Sequence, residues 1–545
     1  MKNVPTEFLS FLKKNSYLLF SISLMAFSPL FLFPQKQIIV NFFTVPNTYS
    51  VNKAPLAYNK NFAFSYQEDD SQKDIYTHGF KFLNGGIVEG IAYPGLSFTD
   101  GCGNNIKFKM SSSISSFPWN DMTKDIHDPE GPYKDLCATW PEINEMYSYG
   151  WGFTNHGLTS DTGYYSYSIA RNHSNIKRMT QQATAGGIDM QVFVNVSGDT
   201  NYNIPAFKQG YLAGYRQGYH FGDPSFDVTS AWNPTDLKMG RMNISSNQVD
   251  LSAIVDDMAA ASIDGAHHWG VVFTHSLTHG NYGYDFPTFK THMNYIENTY
   301  GKNGQDNIWM ATEEEVLDYL LVNELLTINT ELTGQTLKIT FTGDIPTKYR
   351  FYATSLLLEA DANIESIVVT DANYSCNGIG TNKSLINLSW DGKVLIPPEQ
   401  TAETWVTKTE SSHNQNDANI AVDYVMMVPE GPSRDLFRSR LCSISQITLP
   451  ENFCNLGIES YNNNCDFSVF PNPTNNKLII DFFGKTNNKN KIIEIYNLTG
   501  KRFLKENFLI NTAIIYLNNY PSGIYILKIQ IENSFYFQKI CKLDK

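Results

Sequence analysis

Apolar positions along this 545-residue chain follow three different rhythms. Near the N-terminus, Tyr17–Phe33 (YLLFSISLMAFSPLFLF) is an almost unbroken apolar run behind Lys13 and Lys14, the order that export machinery reads. It predicts a signal peptide within residues 1–35, or else an uncleaved anchor. Pro29 and three serines weaken it as a span, and no second run of this kind follows, so no stable membrane span is expected after processing. Over residues 56–325, short apolar runs alternate with helical spacings. Asn61–Tyr66 predicts a strand that ends in the acidic cluster Glu68–Asp70. Leu136–Tyr149 and Ile169–Ala185 predict helices, Met190–Val196 and Gly270–Thr274 predict strands, and Thr312–Leu325 predicts a helix opened by a Thr312/Glu315 capping box. This alternation predicts an α/β class with a (β/α) barrel. From Thr327 the rhythm changes to period two. Thr336–Thr342, Tyr349–Thr354, Glu365–Thr370, Leu385–Trp390 and Ala421–Met427 predict strands of an all-β sandwich over 327–450. Stretches near 411–418 and 460–466 read as exposed loops or linkers, and residues 465–545 read as a last, small all-β module.

A chain of this length divides naturally into two to four domains. Hydrophobic residues at 42 % exclude wholesale disorder. Aromatic residues reach 14 %, which suits both bulky β-rich cores and stacking platforms for sugars. The formal net charge of −13 and the lack of a basic stripe argue against a nucleic-acid partner. Seven scattered cysteines without a CxxC pair argue against a cysteine-built zinc site. They leave any disulfide pairing open, with at least one thiol over.

Three segments carry candidate chemistry: Phe64–Asp70 (FSYQEDD), Trp151–Thr159 (WGFTNHGLT) and Val271–Gly280 (VVFTHSLTHG). Amide hydrolysis without a nucleophilic serine needs an activated water, an electrophile for the developing oxyanion and an acid for the leaving amine. Carboxylates at a strand end, together with two distant histidines, supply the residue types for all three.

In this order, and with Trp140–His156 and Asn307–Tyr319 as framework, the segments resemble the NodB-homology polysaccharide deacetylases, carbohydrate esterase family four, over residues 56–325. The resemblance implies a deacetylase-like barrel that hydrolyses carbon–nitrogen (non-peptide) or ester bonds of acetyl groups on a polysaccharide. It makes Asp69 the catalytic base, Asp70 and His156 metal ligands, and His275 the general acid. The expected cofactor is a divalent metal ion, zinc foremost. The chain departs from the family at three places. Ser160 stands where a second metal histidine belongs, leaving Asp161 or His173 as substitutes. Ser71 stands where the family prefers Gly, and Val194–Gly198 lacks the Arg-x-Pro motif. These departures keep a second reading open, a catalytically silent deacetylase-like glycan-binding or surface protein. His279 competes with His275. His267 and His268 read more simply as surface or structural residues and Trp309 as core, while Asp199 and Tyr202 could line a groove or equally serve loop packing.

At the C-terminus, Phe467–Pro473 (FSVFPNP), Lys477–Phe482, Lys491–Asn497, Leu498–Lys501 and Leu517–Lys528 closely resemble the sorting domain of the Bacteroidetes type IX secretion system. That resemblance implies the type IX machinery as partner and a secreted or cell-surface destination.

Overall fold

A strand covered on both faces buries every side chain, and all seven residues of Phe62–Glu68 (FAFSYQE) are buried, the polar Ser65, Gln67 and Glu68 among them. The computed structural model describes residues 36–118, 121–158, 163–215, 225–230, 237–244, 250–279, 285–454, 467–483, 489–497, 501–532 and 534–543. The apolar run Tyr17–Phe33, Ser160, Asp161 and residues 498–500 of the C-terminal motif lie outside them. The chain separates into two compact units between Leu395 and Ile396.

In the first unit, Phe62–Glu68 pairs in parallel with His268–Thr274 on one side. On the other side it pairs with Ile308–Met310 at its start and with Ser111–Ile114 at its end. Ser111–Ile114 pairs onward with Gly152–Asn155, again in parallel. Single bridges carry the order through Phe193 and Val192 to Ala213–Tyr215, which pairs in parallel with Leu237–Met239. Met242–Asn243 returns to His268–Thr274. Of the described strands in this sheet, only the short Ser225–Asp227 runs antiparallel. Among the described residues the pairings do not close into a ring.

The helices follow their sequence signals. Trp140–Ser148 starts with Thr139, whose backbone N–H donates to Glu142 at 2.7 Å, and it buries Ile143, Met146 and Tyr147. Tyr165–Met179 is shorter than the 169–185 pattern suggests and begins earlier. In Glu313–Leu325, Thr312 caps the Glu315 N–H, while the Glu315 carboxylate turns to Lys109 at 2.7 Å instead of reaching back. Around Met190–Val196 only isolated bridges form, followed by a tight turn at Val196–Gly198.

The sandwich has different limits from the expected 327–450. Its first sheet has the order Thr327–Thr333, Thr336–Thr342, Gln37–Phe42, Ile364–Thr370; the second has Tyr49–Lys53, Tyr352–Ala360, Lys383–Trp390, Asn373–Cys376. Gln37–Phe42 thus lies between two partners, with Ile38, Val40 and Phe42 fully buried against Leu337, Ile339, Leu356 and Ile386. The expected strand Ala421–Met427 is part of the helix Gln415–Met427. It packs with Pro398–Ser412 and Pro432–Cys442 around Ala402, Val406, Ala421, Val425 and Leu441. The burial of Ala418, Ala421 and Val425 follows the helical period. A disulfide joins Cys442 to Cys454 in this second unit.

The same unit ends in two small antiparallel sheets, Phe467–Phe470, Lys477–Phe482 and Thr512–Tyr516 in one, and Arg502–Phe508, Lys491–Asn497, Gly523–Ile531 and Ser534–Lys542 in the other. Alternate residues Leu478, Ile480, Ile493, Ile495, Leu527 and Ile529 form the core between them. No helix among the described residues is long and apolar enough to cross a membrane.

Within the first unit, Arg350 ties the sandwich to the parallel sheet. Its guanidinium donates to the carbonyls of Trp151 and Tyr147 at 2.7 and 2.8 Å, pairs with Glu314 at 3.2 Å, and lies 3.5 Å from the Tyr147 ring centroid. Beneath it, Asp318 accepts the backbone N–H groups of Arg350 and Phe351, both at 2.9 Å. Burial pushes the Asp318 carboxyl up to about 8, against those two hydrogen bonds. Because the folded state holds this proton more tightly, stability falls as pH rises from the ordinary value of 3.8 through about 8. Asp318→Asn keeps a carbonyl for both N–H groups and cannot ionise. Its urea midpoint is expected to match the wild type near the acidic end of that window and exceed it at the alkaline end; parallel curves would contradict this.

Candidate functional site

Strand ends on one edge of the parallel sheet supply the site. Asp69 and Asp70 follow Phe62–Glu68, His156 follows Gly152–Asn155, and His275 follows His268–Thr274. The ladder continues one step past these ends: the Asp69 N–H donates to Thr274 O at 2.8 Å, and the His156 N–H donates to Ile114 O at 3.1 Å. The chain then turns sharply, with Asp70 at φ 69° and Ser71 at φ 59°. This left-handed pair is strained for residues bearing a Cβ.

Asp69, Asp70, His156 and His275 line one cavity of about 20 Å³, with Asn195, Ser197, Gly198 and Arg241 completing its wall. That space suits a single water or ion. All four candidate residues from the sequence therefore meet at one place. His279 is not among the lining residues. His267, whose ring meets the Asn61 carbonyl at 3.0 Å, and His268 stand at the opposite end of their strand.

The two adjacent carboxylates have different partners. Asp69 is 1 % exposed; its Oδ1 accepts from Ser113 Oγ at 2.8 Å, and its Oδ2 lies 2.9 Å from the Arg241 guanidinium. Arg241 is itself fixed by Gln67 Oε1 at 3.1 Å and by the rings of Phe273 and Tyr215, at 3.7 and 4.7 Å from their centroids. Asp70 Oδ1 lies 3.3 Å from His156 Nε2. Burial opposes ionisation of Asp70. The His156 hydrogen bond and the positive charges of His156, His275 and Arg241 outweigh burial and hold the carboxyl below its ordinary value. For His156, burial opposes protonation, but the Asp70 hydrogen bond and the charges of Asp69 and Asp70 raise it.

His156 Nδ1 lies 3.0 Å from the Val194 carbonyl. A carbonyl only accepts, so Nδ1 carries the hydrogen and Nε2 is the nitrogen that faces Asp70. A ring oriented in this way by a backbone carbonyl fits the second-shell arrangement of metal-ligating histidines. Asp70 and His156 together supply one oxygen and one nitrogen donor, of kinds that zinc accepts. Among the described residues no group of three or more His, Cys, Asp or Glu is gathered to hold a metal ion. Asp161 and Ser160 are outside the described residues, and His173 has both ring nitrogens engaged, with Tyr211 at 2.6 Å and Asp189 at 3.1 Å.

Three supporting residues escaped the sequence reading. Arg241 supplies the guanidinium that pairs with Asp69, and it belongs to no motif. Ser113 comes from a serine-rich strand that gives no chemical signal. Asp74 Oδ2 accepts from Ser276 Oγ, the Leu277 N–H and Thr278 Oγ1 at 2.6 to 2.9 Å, which pins the loop after His275. Glu313, behind Arg241, is pushed up to about 7 by burial and receives the Tyr215 hydroxyl at 3.2 Å. Asp199 caps the turn Thr200–Tyr202 and accepts from Tyr165, while Tyr202 is buried against Phe193, so both serve packing.

Comparison with known proteins identifies the C-terminal module. Residues 468–542 match the model of the secretion system C-terminal sorting domain. This is the type IX sorting domain, and the protein is secreted or displayed at the cell surface with the type IX machinery as partner. No curated protein matches the chain. A DUF3244-family protein from Bacteroides vulgatus with an immunoglobulin-like β-sandwich is 17 % identical over 14 % of this chain and 85 % of its own, with a TM-score of 0.13. Dimeric latent PorU from Porphyromonas gingivalis is 11 % identical over 42 % of this chain and 15 % of its own, with a TM-score of 0.13. Scores this low carry no argument about fold.

The Asp69–Arg241 pair gives the site a stability signature. Arg241→Met leaves Asp69 buried without its counter-charge and is expected to destabilise the protein by about 3–5 kcal/mol. Adding Asp69→Asn should recover much of that loss, because the buried charge is gone. Urea unfolding of the two variants checks this, and additive losses would contradict it.

Proposed function

We propose that the exported protein is a metal-dependent deacetylase of a polysaccharide, with residues 56–325 forming a deacetylase-like (β/α) barrel. The reading is carried by the convergence of Asp69, Asp70, His156 and His275, from three separate strand ends, on one ion-sized cavity. The strand order supports it too, since active sites of parallel α/β folds lie beyond the carboxyl ends of the strands.

In this reading Asp70 and His156 Nε2 hold a divalent ion, zinc foremost. When bound, it supplies Lewis-acid polarisation and a water of lowered pKa. Asp69, oriented by Ser113 and Arg241, takes a proton from the attacking water. The water oxygen bonds to the acetyl carbonyl carbon, and the bond from that carbon to the sugar nitrogen or oxygen breaks. His275, held on the loop pinned by Asp74, gives a proton to the departing atom, and acetate and the free amine or hydroxyl are released. The second reading, a catalytically silent glycan-binding surface protein, draws support from the two-ligand count among the described residues.

The test is acetate release from acetylated chito-oligosaccharide, together with metal analysis of the purified protein. The deacetylase reading expects a bound divalent ion, and a rate that falls about 10²–10⁴-fold in Asp69→Asn, the range for losing a general base. Acetate release that is absent, or unchanged by Asp69→Asn, would leave the silent reading.

A further inference from the structure

A second cavity, of about 450 Å³, opens in the first unit between the sandwich and the parallel-sheet region, and it shares no lining residue with the cavity around Asp69. Its volume is in the range of small-molecule sites. Its walls are mixed. Trp390 and Tyr374, on the sandwich strands Lys383–Trp390 and Asn373–Cys376, present rings, and Tyr374 is 46 % exposed. Polar groups of Asn104, Ser389 and Asp391 share the lining.

The floor is held rigid by both layers. Asn387 Nδ2 donates to the Asp100 carbonyl at 2.8 Å and to Ser375 Oγ at 3.1 Å. Ser375 Oγ donates to Asp100 Oδ2 at 2.7 Å, and Ser355 Oγ donates to Asn387 Oδ1 at 2.8 Å. Tyr58, also in the lining, sits at φ 61° with its N–H donating to Ser355 Oγ at 2.8 Å. A tyrosine in this left-handed region is strained, a cost that its surroundings must offset. Trp309 lines the cavity at 1 % exposure, and its indole N–H has no acceptor among the described residues.

A pyranose ring has an apolar C–H face and a rim of hydroxyls that both donate and accept. Stacking rings beside carboxylate, amide and hydroxyl groups match both surfaces, whereas a purely apolar ligand would leave the polar rim unpaired. We propose that this cleft is a carbohydrate-binding site for a neutral mono- or disaccharide unit. Trp390 and Tyr374 stack on the sugar, and Asp391 and Asn104 bond its hydroxyls. The site is separate from the candidate catalytic centre and stands whether or not that centre hydrolyses anything.

The experiment titrates the full-length secreted protein carrying Asp69→Asn, which removes the proposed base, with N,N′-diacetylchitobiose, cellobiose and maltose. Tryptophan fluorescence and calorimetry report binding. At least one sugar is expected to bind with a change in tryptophan emission. Trp390→Ala should weaken that binding by about tenfold or more, a loss of about 1.4 kcal/mol. Because Trp390 also packs in the sandwich, Tyr374→Ala, on a ring nearly half exposed, gives a second arm with the same expected direction. Adding Asp70→Asn should leave the affinity unchanged. The proposal is overturned if none of the three sugars binds, if both ring variants bind as tightly as their parent, or if Asp70→Asn abolishes binding. That last result would place the sugar in the other cavity. Loss of acetate release with sugar binding intact would strike the deacetylase reading alone.

Discussion

Two neighbouring carboxylates at the end of a fully buried strand cannot both be charged without cations close by, and this electrostatic requirement organises the first unit around Asp69 and Asp70. The left-handed turn at Asp70 and Ser71 sends the two side chains to different partners. Asp69 goes inward to Arg241 and Ser113, and Asp70 goes to the rim with His156. Each partner is itself held in place, Arg241 by Gln67 and two aromatic rings, His156 by the Val194 carbonyl. A buried pair is stabilising only when its geometry and remaining hydrogen bonds are good, and these anchors supply that geometry. The same demand explains why residues from the strand ends after Glu68, Asn155 and Thr274, together with Arg241 and the turn at Asn195–Gly198, crowd around so small a space.

The sandwich is bound to this arrangement through the helix Glu313–Leu325. Its first turn meets the site through Glu313 and the Tyr215 hydroxyl, while Glu315 lines the larger cleft. Its next turn meets Arg350 and the loop N–H groups through Asp318. Gln37–Phe42 completes the sandwich from the N-terminal side, so the chain on both sides of the parallel-sheet region contributes to one β layer. Such a layer fixes the ends of the region it encloses, and it builds the larger cleft from two elements far apart in sequence.

Legibility followed the length and continuity of each signal. The strands Phe62–Glu68 and His268–Thr274 and the helix Glu313–Leu325 were readable because each carries a bulky apolar run and a marked end, the acidic cluster Glu68–Asp70, His275 and the Thr312 cap. The alternation Ile38, Val40, Phe42 is equally plain, yet it sits between a leader-like run and the first motif, where it is easily passed over. Ala421–Met427 satisfies both a strand and a helix pattern, and only its packing on Pro398–Ser412 and Pro432–Cys442 decides between them. At the site, Asp69, Asp70, His156 and His275 stood out because motif order tied them together. Arg241, Ser113 and Asp74 did not, since a counter-ion or a loop anchor needs position in space rather than a neighbour in sequence. The C-terminal sorting domain was the most readable part, because several short motifs in fixed order map onto successive strands.

The proposed deacetylase activity requires Asp70 and His156 Nε2 to form a cation site rather than only an ion pair with each other. The most direct measurement is anomalous diffraction above the zinc absorption edge, from crystals of the protein grown with zinc chloride. A strong anomalous peak in the cavity beside Asp70 and His156 is the result expected if these residues hold a metal. Crystals with no peak there, in which the two side chains still touch directly, would contradict the proposal.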